Sequence, residues 1–309
     1  MTLLELVVVI AILAVLTTVA VRSLTGVASQ SRFEATQRTL ENIQDAVLGP
    51  ANDHQPDGSR VISGFISDLG RLPAAQPSAD GTSLTLDELL VQPTNDLPFA
   101  VRPATAANVS EGMSDPEVSI PCGWRGPYLR LPVGESEISD GWGFNLANAV
   151  SAGTNFICLR QADSSPANVG DGIAIVGSPG ADGVQGGSGY NSDLSVTISP
   201  NNFLASLSVN VSLSDTNGNS ITALTGGDSV LVSVFGPDPA PANSGKILVQ
   251  TLTNSLTGPC LFTNFLTQGP RAIRAYYFQS GTNTSSSAID YLNLHAGFNN
   301  AGLTLIRPY

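Results

Sequence analysis

The chain has 309 residues, is 42% hydrophobic and 12% charged, and carries a net charge of −12. One lysine, Lys246, among 13 basic residues and the net negative charge leave no basic stripe of the kind that neutralises phosphates, which argues against nucleic-acid binding. Two histidines, with no Gly-x-Ser-x-Gly and no phosphate-binding loop, supply little for general-base or nucleophilic chemistry, and the chain reads as no enzyme.

Residues 1–21, Met-Thr-Leu-Leu-Glu-Leu-Val-Val-Val-Ile-Ala-Ile-Leu-Ala-Val-Leu-Thr-Thr-Val-Ala-Val, are apolar apart from Glu5 and three threonines. A helix that crosses a bilayer needs about 20 such residues. A carboxylate in that setting is costly unless paired. The Met1 amine of a neighbouring copy is the expected partner of Glu5. Arg22 marks the expected membrane exit. Beyond it the pattern turns amphipathic: Phe33, Leu40 and Val47 recur every seven residues with Ile43 among them. Glu34 and Arg38 stand at the favourable i, i+4 spacing. Gly49-Pro50 ends the helix, which defines a first unit over 1–48.

This N-terminus resembles that of mature type IV pilins and type II secretion pseudopilins. The resemblance implies a processed chain with an N-methylated Met1, cut by a prepilin peptidase. It implies residence in the inner membrane as a monomer. Extraction by an assembly machine into an extracellular, helically bundled homopolymer would follow. Position 22, where many pilins carry proline, is Arg here. Gly26 costs only about 1 kcal/mol relative to Ala, too little to force a break.

Residues 50–121 are rich in Pro, Gly, Asp and Ser and read as a long connection. Within it, Thr85-Leu-Asp-Glu-Leu-Leu90 reads as a helical turn capped by Thr85. The apolar stretch 58–73 is expected to dock on the core. Further on, Gly126-Pro-Tyr-Leu-Arg-Leu-Pro132 and Asp140-Gly-Trp-Gly143 resemble a motif pair of the major pseudopilin. The glycine-rich run 177–194 resembles that family's calcium loop, with a longer insert before Asp140. The resemblance implies calcium held by Asp182, Asn191 and Asp193, with glycines turning backbone carbonyls inward. A plain loop is the alternative. This head spans 49–198.

Residues 199–309 alternate short β-type runs with dense turn signals. The runs begin with 203–213, 229–235, 246–252 and 271–278 and end with 303–306. They predict a β-sandwich, the immunoglobulin-like arrangement being one candidate. The fold class is therefore α+β: a long N-terminal helix on a small antiparallel sheet, followed by that sandwich. Cys122, Cys158 and Cys260 lack metal-site spacing. In an oxidising compartment Cys122 and Cys158 are expected to pair, since both fall in the same predicted unit; three buried thiols are the alternative. The expected function is a structural filament subunit. A minor or tip pilin whose β-domain is an adhesin or binding module is the second reading.

Overall fold

The computed structural model describes residues 3–50, 62–77, 83–144, 148–149, 159–161, 163 and 167–308, without the side chains of 3–5, 19–25, 83, 148–149, 159–160 and 264–265. The fold is mixed α+β and built mostly of strands. Helix α1 runs over Leu3–Leu48. Its second half is amphipathic at helical spacing: Leu40, Ile43 and Val47 are buried, and Thr36 extends the same stripe. Glu34 and Arg38 form the expected ion pair at 3.8 Å on the exposed face. The helix closes with the Gly49 N–H on the Asp45 carbonyl at 2.8 Å. In the first half, the side chains of 6–18 are exposed and mostly apolar. Among the described residues no helix is long and apolar enough to cross a membrane.

Helix α2 (Phe65–Leu69) follows, buried along its whole length. The apolar stretch expected to dock does so here: Phe65, Ile66 and Leu69 sit in one core with Ile43 and Val47. The strands of the first half are β1 (Gln76–Pro77), β2 (Ser83–Thr85), β3 (Ala100–Ala104), β4 (Val109–Glu111) and β5 (Asp115–Cys122). Then come β6 (Asn148–Ala149), β7 (Leu159–Arg160), β8 (Ile175–Ser178) and β9 (Leu194–Thr197). Three small sheets result, in the orders β1-β2-β6, β3-β5 and β7-β8-β9. The turn expected to be capped by Thr85 is instead a 3₁₀ turn over Asp87–Leu89. Thr85 closes β2, because pairing with Gln76 claims its backbone.

The second half comprises β10 (Leu204–Ser214), β11 (Ser220–Ile221), β12 (Ser229–Pro237), β13 (Ile247–Asn254) and β14 (Cys260–Thr267). It continues with β15 (Gly269–Gln279), β16 (Thr282–Ser286), β17 (Asp290–Leu294) and β18 (Gly297–Ile306). One sheet centres on β10, with β11 and β14 antiparallel to it and β18 parallel. The other runs β16-β15-β12-β13-β4, with β17 also on β15. Inward residues of both sheets share one core, among them Leu207, Val209, Val232, Ile273, Tyr277 and Leu305.

The head expected over 49–198 is not self-contained. Strand β4 adds in parallel to β13, and Ala104, Val118, Ile120 and Cys122 form a third core with Phe235, Ile247, Val249 and Ala272. Arg274 clamps this joint: its Nη1 lies 2.8 Å from Asp115 Oδ2 and its Nη2 2.6 Å from Glu117. The Tyr276 hydroxyl donates to the same Asp115 oxygen at 2.5 Å. Gln268 Nε2 donates to the Leu48 carbonyl at 2.7 Å, so the end of α1 is also held by the second half.

Candidate functional site

The glycine-rich run lies against α1. Thr36 Oγ1 donates to the Arg32 carbonyl and accepts the Gly141 N–H, each at 3.0 Å. Gly141 passes so close that a Cβ there would fall on the Arg32 carbonyl oxygen. Phe33 meets Tyr190 edge-on at 6.0 Å, and Trp142 tilts onto the same ring at 6.4 Å. The Arg32 guanidinium sits over Trp142 at 6.0 Å. The 32–36 stretch of α1 thus holds both flanks of the loop.

Asp140 organises the entry. Its Oδ1 accepts from the Trp142 and Phe144 N–H groups, each at 2.9 Å, and its Oδ2 accepts from Ser178 Oγ at 2.5 Å. Ser178 Oγ in turn accepts the Gly180 N–H at 3.2 Å. Asp140 and Ser178 are buried, and sequence reasoning did not place them in the site. The signal was present, since Asp140 opens a recognisable motif and Ser178 opens the loop.

The run then turns back on itself. Ala181 N–H meets the Tyr190 carbonyl at 2.9 Å. Gly187 has φ +89, and a Cβ there would lie 2.5 Å from the Asn191 carbonyl oxygen, so only glycine allows this closure. Asp182 is exposed, and its Oδ1 accepts the Val184 N–H at 3.1 Å. Asp193 Oδ2 accepts the Gly186 N–H at 2.9 Å, while its Oδ1 is buried with no hydrogen-bond partner. Asn191 is exposed, and its backbone carbonyl turns toward Gly187 and Gly180.

The donor set suits a hard cation. The orphaned Asp193 carboxylate oxygen is the kind of group that an oxygen-ligated ion satisfies. Among the described residues no three His, Cys, Asp or Glu side chains converge. A cation here would therefore draw on backbone and amide oxygens as well as carboxylates. Calcium accepts such a mixture, whereas zinc prefers nitrogen and sulfur ligands.

The remaining expected site residues lie apart. Glu5 falls within α1, but its side chain and Met1 are outside the described residues. Cys122 is a buried free thiol whose Sγ donates to the Gly245 carbonyl at 3.2 Å. This corrects the expected Cys122–Cys158 bridge at its first member: the end of β5 is turned into the third core, where burial pushes the thiol up to about 11. Cys158 lies outside the described residues.

A second polar cluster went unseen in the sequence. Asp68 of α2 accepts from Arg125 Nη2 at 2.6 Å and from the Tyr128 hydroxyl at 3.0 Å. Burial outweighs both and pushes its carboxyl up to about 6. These groups line a cavity of about 500 Å³ that also touches Asn42, Asp45 and Arg130. The cluster ties α2 to the 125–128 turn, and among its described members there is no nucleophile–base pair.

No family model, no curated protein and no solved structure matches the chain.

Proposed function

We propose that this chain is a structural subunit of an extracellular filament of the type IV pilin and pseudopilin kind. The observation that carries the reading is the contrast along α1. Its second half buries Leu40, Ile43 and Val47 against the head, while 6–18 presents exposed, mostly apolar side chains that join none of the cores formed by the described residues. Apolar surface of that extent calls for lipid or other copies to cover it. The apolar sequence continues on both sides of 6–18, which supports a membrane-held monomer before assembly. In the filament the α1 helices bundle, and Glu5 pairs with the Met1 amine of the next copy, fixing the stagger. The prepilin peptidase and the assembly machinery are the implied partners. The two face-to-face sheets of the second half act as a β-sandwich coat. Calcium at Asp182, Asn191 and Asp193 would rigidify the loop that braces α1 at Arg32–Thr36.

The test is Glu5→Gln. Membrane insertion is expected to persist, because the change removes a charge from an apolar helix. The yield of filaments sheared from cells is expected to collapse. Wild-type filament yield from Glu5→Gln would refute the pairing.

A further inference from the structure

We infer that the outer edge of β18 pairs with the same edge of a second copy, joining two heads into one continuous sheet. The inference goes beyond the helix-driven assembly above and does not depend on it.

Strand β18 forms ten consecutive regular parallel pairs with β10, from Ala205↔Gly297 to Ser214↔Ile306. Among the described residues β10 is its one strand partner: no described strand pairs along its other edge, and β16 approaches β18 without pairing with it. Open edges are normally blunted by charge, proline, brevity or a bulge. Gly-Phe-Asn-Asn-Ala-Gly-Leu-Thr-Leu-Ile has no charge and no proline, and its register is unbroken. The opposite edge of the same sheet shows the contrast. Strand β14 breaks register between its pairings with Ala205 and Leu207, which blunts that side. At the far end of β18 the Ile306 carbonyl accepts from Ser285 Oγ at 2.7 Å, so Ile306 brings its side chain, and not its carbonyl, to the seam.

The occupant is a second copy because the edge is complementary to itself. Phe298 and Ile306 lie opposite Ser206 and Ser214, on one face of the sheet, and are 67% and 55% exposed. They stand four residues on either side of Gly302. In an antiparallel pair with its two-fold axis at Gly302, each Phe298 faces the partner's Ile306, and each Asn300 faces the partner's Thr304. Two apolar contacts and two polar ones then close the seam on the same face. Antiparallel pairing is also the more stable ladder. Copies carrying a net charge of −12 repel one another, and an uncharged edge is where they can approach. A two-fold contact closes after two copies, so it links chains in pairs and does not extend a filament.

The experiment uses the full-length chain in detergent micelles. Gly302→Cys adds a thiol into open space at a position without positive φ. Mild oxidation is expected to give a disulfide-linked dimer well above the wild-type background. Leu261→Cys, 55% exposed on the β14 edge, is expected to give none above that background. Sedimentation of the unmodified chain is expected to show a dimer that Phe298→Lys abolishes and that Asn300→Lys abolishes as a second exposed variant. Unchanged circular dichroism in both lysine variants keeps the comparison to folded protein. A monomeric wild type would overturn the inference. So would a dimer that survives both lysines, or equal cross-linking at 261 and 302. Glu5→Gln is a separate readout: loss of filaments with the dimer intact leaves the edge pairing standing, and the reverse leaves the helix reading standing.

Discussion

Single buried charges decide how this molecule responds to its surroundings. Arg71 is held by Glu88 at 2.7 Å and Asp96 at 3.4 Å, all three nearly inaccessible, and stacks over Phe65 at 5.2 Å. Arg71→Met keeps much of the packing but strands two buried carboxylates. It is expected to cost about 3–5 kcal/mol, read as a fall in the urea midpoint. Asp68 works in the opposite sense. Its folded carboxyl titrates near 6 against 3.8 for the free group, chiefly because it is buried. As pH rises from 3.8 toward 6 the unfolded chain ionises while the folded one resists, so stability falls across that window and levels off above it. The loss is about 3 kcal/mol at about 1.4 kcal/mol per unit. Asp68→Asn retains an acceptor for Tyr128 and does not ionise. Its stability is expected to lack that fall, and parallel pH curves for the two proteins would show the account to be wrong.

At the scale of elements, the braced loop makes two expectations. Gly141→Ala places a methyl on the Arg32 carbonyl, so the 140–144 turn must lift from α1. The near-ultraviolet dichroism of Trp142 is expected to weaken while far-ultraviolet helix signal stays. Asp193→Ala removes the orphaned carboxylate oxygen, and combined with Asp182→Ala it is expected to abolish any rise of melting temperature on adding calcium. A calcium-dependent rise that survives the double variant would place the ion elsewhere. The heptad of Phe33, Leu40 and Val47 made the docking face of α1 readable, because its period is that of a helix. Most of the strands in 199–309 were readable for the same reason, at period two. Strands β3 and β5 were not, although Val118, Ile120 and Cys122 alternate correctly. Two prolines in β5 and a polar, glycine-rich setting masked a signal only three residues long. Their partners, Phe235 and Ala272, lie more than a hundred residues away, beyond the reach of local pattern. The loop was readable from its glycines, but its bracing by Thr36 and Gly141 is a tertiary contact.

At the scale of the whole molecule, the described parts of the head and of the second half interlock where the sequence suggested a separable head and coat. A chain ending near Ser199 would lose Phe235, Ile247, Val249 and Ala272 from the third core and Arg274 from Asp115. Such a fragment is expected to be unfolded or aggregated, with no cooperative melting transition. A folded fragment would show that β3 and β5 close without the second half. The Gln268 cap on Leu48 also sets a clock. The donor is 220 residues downstream of the carbonyl it satisfies. Ribosomes add about 5–20 residues per second, so the base of the stalk waits roughly 10–45 seconds during synthesis before its last turn can be sealed. For that interval the apolar half of α1 is complete but its base is not, and the seal can form once Gln268 has been added, with β15 to β18 still to be made.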